Sequence, residues 1–366
     1  MKLCIIYNTA PKYREGIFKL IEEKYDCDWY FGYTNTDIKE MDTSTLKRVS
    51  YYKSVGNPNR LYWKQGILQL LFKKKYQCFL ILAESRCLSD YLFLLLATCF
   101  FPQKRVYIWT HGWYGKESKI EAKLKLWMFH HTTGIFLYGN YAKRLLIEHG
   151  IPEKKLFVIH NSLNYKKQKE LRKHIHTSNI YSAYFGNNNP VLIFIGRLTP
   201  VKRLDLLIKA VSILKEKKEF YNIIFVGDGE MRYKLEQLTF DKQLSKSVWF
   251  YGECYNETAN AELIYNADLC VAPGNVGLTA MHAMVFGCPV ISHNDFKWQM
   301  PEFEAIKQGK TGDFFERDNV ESLVNTISNW FIMQNNREEV RQTCFQEIDN
   351  YWNPYYQINT LMKNLK

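Results

Sequence analysis

The stretch Gly196-Arg197-Leu198-Thr199-Pro200-Val201-Lys202-Arg203 is suited to holding a diphosphate. Its glycine permits a tight turn after an apolar run. Arg197 and Lys202 then bring a forked donor and a point charge to a helix start, where the helix dipole adds positive potential. A second turn of the same kind is Val226-Gly227-Asp228-Gly229-Glu230. Alone it is weak, because Asp-Gly is ordinary turn chemistry. The third motif is Pro273-Gly274-Asn275-Val276-Gly277-Leu278-Thr279-Ala280-Met281-His282-Ala283-Met284. Its glycines allow close backbone approach, and the amides of Val276 to Thr279 are expected to point free N–H groups at an anion. His282 lies one turn further into the helix. The fourth is Trp109-Thr110-His111-Gly112-Trp113, a histidine at a strand end. The blander alternatives are exposed bases, simple glycine turns and core histidines.

What must position these groups is a set of alternating apolar strands and amphipathic helices. In the first half, strands are expected at Leu3–Tyr7, Cys27–Phe31, Cys78–Ala83, Val106–Trp109, Gly134–Leu137 and Leu156–Ile159. Helices fall between them at Gly16–Glu23, Leu61–Lys73, Leu88–Phe100, Lys119–His131 and Tyr141–His149, with Ser89 or Asp90 as the cap of the third. Residues 164–190 lack a strong period and read as a basic linker, with a helix near Lys166–Lys173. The pattern restarts with strands at Val191–Ile195, Asn222–Val226, Val248–Tyr251, Leu269–Ala272 and Val290–Ser292. Helices follow at Arg203–Lys215, Glu230–Leu238, Ala259–Asn266, Leu278–Phe286, Asn319–Met333 and Glu338–Tyr351, then a tail, Tyr355–Lys366. Continuous apolar strands separated by helices imply parallel sheets covered on both faces. The class is therefore α/β: two doubly wound domains whose ligand site lies at the carboxyl ends of strands, facing a cleft. The expected divisions are 1–163, a linker at 164–190, 191–345, and a C-terminal helix, 346–366, crossing back to the first domain.

In this order the four motifs resemble retaining glycosyltransferases of family 4, which have the two-domain GT-B fold. The residues that carry the likeness are Gly196-Arg197-Leu198…Lys202, Val226-Gly227-Asp228-Gly229, Gly277-Leu278, Ala283-Met284, Gly287-Cys288-Pro289-Val290-Ile291, Glu304-Ala305-Ile306 and Gly312. They lie mainly within 191–316. One departure stands out. The family's two glutamates, eight residues apart, fall here on Gly274 and His282, so neither is present. The likeness implies a nucleotide-diphosphate sugar as co-substrate, UDP-sugars favoured over GDP-sugars, with no cofactor and no metal. It implies donor contacts from Gly196, Asp228, Asn275, Val276, Gly277, Leu278, Thr279, His282 and Glu304, the last from the loop Pro301-Glu302-Phe303-Glu304. It casts His111, Arg197 and Lys202 as the catalytic groups, Arg197 and Lys202 stabilising charge on the leaving diphosphate. The acceptor is implied to lie against the first domain, with Tyr13 and Arg14 of the loop after strand one, and Trp113, as its contacts.

Charge sharpens the question of partners. The net charge is +12, and residues 51–180 hold 22 Lys and Arg against 7 Asp and Glu. Such an excess suits an anionic partner. Helix Ser118–His131 carries Lys119, Lys123 and Lys125 beside Ile120, Leu124, Trp127 and Met128. The run Arg60…Lys75 mixes bases and aromatics similarly. Both could lie on an anionic membrane surface, as a polyprenyl-diphosphate-linked or other glycan acceptor would require. Nucleic acid would also satisfy the charge but would leave the second-domain motifs idle. No run reaches the ~18 apolar residues of a membrane span, and the N-terminus lacks the pattern of a signal peptide. Nine cysteines without a C-x-x-C read as small buried hydrophobes in a reducing compartment. The expectation is a cytoplasmic protein, peripheral on the inner face of the membrane, serving surface polysaccharide or glycolipid assembly. Asp26-Cys27-Asp28 matches the D-x-D of metal-dependent glycosyltransferases but sits away from the diphosphate motif. Two other readings remain: a non-catalytic sugar-nucleotide-binding protein, and a sugar-nucleotide 2-epimerase of the same fold.

Overall fold

The computed structural model describes residues 2–32, 39–57, 60–334 and 336–365. Pro58 and Asn59 of the basic segment and Lys366 of the expected tail lie outside the described residues. The chain divides into two compact units, residues 1–164 with 353–366, and residues 165–352.

The first unit holds β1 (Lys2–Tyr7), α1 (Glu15–Lys24), β2 (Asp26–Gly32), β3 (Val49–Tyr52), β4 (Ser54–Gly56), β5 (Tyr62–Lys64), β6 (Tyr76–Ile81), α2 (Leu88–Phe100), β7 (Arg105–Thr110), α3 (Lys119–His130), β8 (Gly134–Leu137), α4 (Asn140–Glu148) and β9 (Leu156–Val158). Seven of these strands form one parallel sheet in the order β3-β2-β1-β6-β7-β8-β9. The apolar runs are continuous because both faces are covered: β1 is buried from Leu3 to Tyr7, and β8 throughout.

The second unit holds α5 (Tyr165–Arg172), α6 (Ile180–Phe185), β10 (Val191–Ile195), α7 (Leu204–Glu216), β11 (Asn222–Val226), α8 (Arg232–Asp241), β12 (Val248–Gly252), α9 (Glu257–Asn266), β13 (Leu269–Ala272), α10 (Leu278–Val285), β14 (Val290–His293), β15 (Gly312–Phe315), α11 (Val320–Met333) and α12 (Arg337–Tyr351). Its parallel sheet runs β12-β11-β10-β13-β14-β15, the strand order of a dinucleotide-binding domain. On α7, Leu204, Leu207, Val211 and Leu214 all face the core, as their spacing requires. The last helix, α13 (Pro354–Asn364), belongs to the first unit, where it packs on α1. Asn353 caps it by accepting from the Tyr355 and Tyr356 amides, 3.0 Å each.

Several expectations are corrected. Leu61–Lys73 is not an α-helix; it forms β5 and a 3-10 turn at Ile67–Phe72. Gly66, at φ +79°, breaks the run, and Lys64 is drawn inward to a buried carboxylate. Ser89 and Asp90 do not cap α2. Ser89 Oγ accepts from the Lys64 amide at 3.0 Å, and Asp90 holds the Lys64 ammonium at 2.9–3.0 Å. Residues 165–190 are not a free linker: α5 and α6 pack on α9 within the second unit. Strands β3, β4, β5 and β15 carry no pattern long enough to announce them.

Candidate functional site

In each sheet the strand order reverses between two central neighbours, β1/β6 in the first unit and β10/β13 in the second. Loops leaving the carboxyl ends of such strands form the ligand crevice of this architecture. The four sequence motifs leave β10, β11, β13 and β7.

Around β10/β13 the loops are locked together by backbone. The Leu198 amide donates to Asp228 O at 2.9 Å, and the Gly274 amide to Lys202 O at 2.9 Å. A Cβ at Gly227 would lie 2.0 Å from Gly196 O, and one at Gly274 2.0 Å from Val201 O. Glycine is forced at both places. The glycine in place of the family's glutamate at 274 thus has a local counterpart, since the backbone of Val201 and Lys202 occupies the space of any side chain.

Lys202 ends the short 3-10 turn Pro200–Lys202. Its ammonium donates to Asn275 O at 2.7 Å and to Asn275 Oδ1 at 2.9 Å. It also lies 3.8 Å from where a Gly277 Cβ would stand, at the N-terminus of α10. Burial pushes its pKa down to about 8; Glu302 opposes the shift and Arg197 adds to it. Arg197, in the same loop, is exposed, and its charge is felt at Lys202, which stands beside the start of α10. A partly dehydrated ammonium, a guanidinium and a helix N-terminus together form a receptor for a polyanion.

Not every expected amide is open. The Val276 N–H donates to Gln299 Oε1 at 2.9 Å, and the Asn275 N–H to Val201 O at 3.3 Å. The expectation of four free amides from Val276 to Thr279 is corrected to the three at Gly277, Leu278 and Thr279, which have no acceptor within a helix. Thr279 Oγ1 donates to Ile195 O at 2.8 Å and ties α10 to β10. Asp228 accepts from the Gly229 amide at 2.7 Å and from Arg232 Nη1 at 3.1 Å, so it braces its own turn. His282 Nε2 lies 3.1 Å from Glu257 Oε1, which also accepts from Gln168 Nε2 at 2.7 Å. A carboxylate thus stands beside His282, but it comes from α9. Glu302 is 1% exposed, whereas Glu304 is half-buried, so it is Glu302 whose charge acts on Lys202. Neither Gln299 nor Glu257 was singled out from the sequence, because neither sits in a glycine-marked turn.

In the first unit, His111 follows β7 and packs against Tyr138 and Tyr114, with ring centroids 4.7 and 6.2 Å away. Its Nδ1 is buried without a hydrogen-bond partner. Burial first, then the charges of Arg14 and Lys125, push its pKa down to about 4, so the ring is neutral at pH 7. Arg14 is itself 4% exposed. Its guanidinium donates to Tyr7 Oη at 3.0 Å and to Tyr138 Oη, and lies 4.9 Å from the Trp109 ring centre. Trp113 is 3% exposed and packs on His149. Of the three expected acceptor contacts, Arg14 and Trp113 are enclosed by the core, and Tyr13 alone is half-buried. Their enclosure follows from chemistry: a guanidinium and an indole both satisfy themselves among aromatic rings.

The basic surface is also redistributed. Lys125 turns inward to Glu117 at 3.0 Å, and Met128 is buried. Ile120 and Leu124 remain exposed, at 74% and 42%, beside exposed Lys119 and Lys123. Asp28 accepts from Lys75 at 2.6 Å, Tyr76 at 2.5 Å and Arg48 at 2.6 Å, and pairs with Lys2 at 3.1 Å. Burial alone would raise its pKa; these partners outweigh it and hold the carboxyl well below the usual range. The Asp26-Cys27-Asp28 match is thereby tied into a structural network. Among the described residues no group of three or more His, Cys, Asp or Glu could hold a metal ion, and no helix is long and apolar enough to cross a membrane. All nine cysteines are free thiols, seven of them buried.

Residues 182–346, somewhat under half the chain, match the family model described as glycosyl transferases group 1. The chain is 27% identical over 136 residues to a poly(ribitol-phosphate) alpha-N-acetylglucosaminyltransferase of Staphylococcus aureus, covering 36% of this chain and 26% of that protein. It is 26% identical over 235 residues to an uncharacterised 41.2 kDa protein in the cps region of Klebsiella pneumoniae, covering 62% and 61%. The matches thus span between a quarter and two thirds of these relatives' lengths. Among solved structures, the apo lipopolysaccharide outer core galactosyltransferase WaaB superposes with a TM-score of 0.72 at 14% identity, covering 99% of both chains. Anabaena Alr3699/HepE in complex with UDP superposes with a TM-score of 0.72 at 15% identity, covering 100% and 99%. The fold is that of the GT-B glycosyltransferases, and the match to the glycosyl transferases group 1 model lies within the second unit.

Proposed function

We propose that the chain is a glycosyltransferase that takes a sugar from a nucleotide-diphosphate sugar, UDP-linked in preference to GDP-linked, and transfers it with retention to a glycan or lipid-linked acceptor. The observation that carries this reading is the cluster of Arg197, Lys202 and the open amides of Gly277, Leu278 and Thr279. Breaking an anomeric bond leaves negative charge on the diphosphate. Lys202 stands beside the start of α10 with Arg197 in the same loop, an arrangement suited to stabilising that charge as it develops. They also supply the positive charge that a metal supplies elsewhere, so the reading calls for none. Neutral His111, with a buried Nδ1 that no other group engages, has an unused acceptor that suits a hydrogen bond from a sugar hydroxyl. The Glu257–His282 pair offers a carboxylate and an imidazole where the resemblance implies ribose contacts. UDP stands in the names of several structural neighbours and polyol-phosphate polymers in the names of two relatives, which supports a UDP-linked donor and a polymeric acceptor rich in hydroxyls.

The exposed Ile120 and Leu124 between Lys119 and Lys123 suit the rim of an anionic bilayer. The protein is accordingly read as peripheral on the cytoplasmic membrane face, in surface polysaccharide or glycolipid assembly. The test is turnover of UDP-glucose and other sugar nucleotides, with the anomer of the product assigned by NMR. Release of the nucleotide with an α-configured product from an α-donor supports the reading. Tight binding without turnover turns it into a sugar-nucleotide-binding protein, and inversion at C2 of a free sugar nucleotide turns it into an epimerase.

A further inference from the structure

The two strand-order reversals are counterparts. In the second unit, the loop after β10 ends in a 3-10 turn that offers Lys202, and the loop after β13 meets it. In the first unit, the loop after β1 also ends in a 3-10 turn, Lys12–Arg14, although its Arg14 turns into the core. The loop after β6, residues 82–87, is the counterpart of the loop after β13, and the donor reading leaves it without a task. Its one carboxylic acid is Glu84.

Glu84 is held with care. Its amide donates to Asp90 Oδ2 at 3.1 Å. Asp90 in turn grips Lys64, whose ammonium is 0% exposed and also donates to Leu82 O at 3.0 Å. The Tyr62 hydroxyl donates to Glu84 Oε2. Oε1 takes no hydrogen bond from any described residue, and the side chain is only half-buried. An ion pair buried at a strand end and coupled to one half-open carboxyl is a costly way to shape a loop. It fixes a carboxyl group in the loop that leaves the carboxyl end of β6. The loop after the next strand, β7, holds His111, whose buried Nδ1 has no hydrogen-bond partner.

We propose that Glu84 is a positioning residue for the acceptor: Oε1 receives a hydrogen bond from a hydroxyl of a polyol, a sugar ring or sugar alcohol, bound at the β1/β6 crevice. The inference rests on the glycosyl-transfer reading, which gives the donor to the second unit and leaves this crevice to the other substrate. Burial first, and then the Asp90 charge, push the Glu84 carboxyl up to about 7. Around it stand Asp90 on α2, Lys64 and Tyr62 on β5, Tyr52 on β3, and Cys87. Of these, the Lys64 and Tyr52 pKa values are pushed up by the balance of burial and charge, and that of Cys87 up to about 11. A hydroxyl donor prefers the ionised carboxylate, so acceptor use should rise with pH through about 7.

The experiment uses the full chain with UDP-glucose as donor, and methyl α-D-glucopyranoside and glycerol as acceptor probes, from pH 5.5 to 8.5. Glu84→Gln is expected to raise the acceptor KM about tenfold, to shift the donor KM by less than twofold, and to remove the inflection near pH 7. Glu84→Asp, which keeps the charge, is expected to raise the acceptor KM yet retain the inflection. An unchanged acceptor KM in Glu84→Gln, an equal shift in donor KM, or a retained inflection overturns the proposal. Should Glu84→Gln not fold, Glu84→Asp decides by the same two readouts. If the wild type turns over no sugar nucleotide, the transfer reading falls by itself. Glu84 is then judged by NMR titration of the wild type with methyl α-D-glucopyranoside: a shift of the Glu84 carboxyl resonance sustains its role, and no shift ends it.

Discussion

The two crevices use the same topology and opposite materials. At β10/β13 the loops that present Lys202 are locked together by backbone. Carbonyls and amides of three loops lock at 2.9 Å, and Gly227 and Gly274 have no room for a Cβ. At β1/β6 the site is made of side chains: Lys64, Asp90, Tyr62 and Glu84 in one chain of contacts, and Arg14 boxed by Tyr7, Trp109 and Tyr138 in another. A side-chain-built crevice can be altered one residue at a time, whereas a backbone-built one cannot. The difference also states what should break each half.

The largest effect is expected in the first unit. Lys64→Met leaves Asp90 buried and uncompensated and should cost about 3–5 kcal/mol, whereas Lys64→Met with Asp90→Leu should recover most of it. Chemical denaturation measures the loss, and hydrogen exchange should confine it to residues 1–164 and α13. Loss spread over both units would break the comparison. A smaller effect is expected in the second unit. Gly274→Ala drives a methyl into Val201 O and should cost about 2 kcal/mol through shifts of the 201–202 backbone. Exchange should then rise around residues 196–202 and 273–279. A neutral Gly274→Ala would mean that the loops are loosely held, and the family's glutamate could be restored there.

The same contrast explains what could be read from the sequence. Both parallel sheets were legible, because strands covered on two faces must be apolar throughout, as Val191–Ile195 and Gly134–Leu137 are. The second crevice was legible too, since a backbone-built site demands glycine at set places, and glycine punctuates a sequence. The first crevice was not. Glu84 stands in Leu-Ala-Glu-Ser, with no spacing that signals it, and its partner Tyr62 is 22 residues away. Lys64 and Lys125 counted as surface charge, yet both turn inward to carboxylates that no local pattern pairs with them. Residues 165–190 looked like a linker because α5 is strongly polar. It is held by Arg172 to Asp349, 2.6 Å, and by Gln168 to Glu257. Contacts this distant in sequence leave no periodic trace.

The central claim is that Lys202 and the start of α10 bind the diphosphate of a sugar nucleotide. Calorimetric titration of the wild type and Lys202→Ala with UDP-glucose and UDP, from pH 6.5 to 9.5, tests it most directly. Burial holds the free Lys202 pKa at about 8. Below that the ammonium is charged and ready; above it, binding must first take up a proton. Affinity in the wild type should therefore fall by up to tenfold per pH unit above about 8, with proton uptake on binding. Lys202→Ala should bind about a hundredfold more weakly and lose that pH dependence. Equal affinities for wild type and Lys202→Ala, or an affinity indifferent to pH through 9.5, would contradict the assignment of the diphosphate to this crevice.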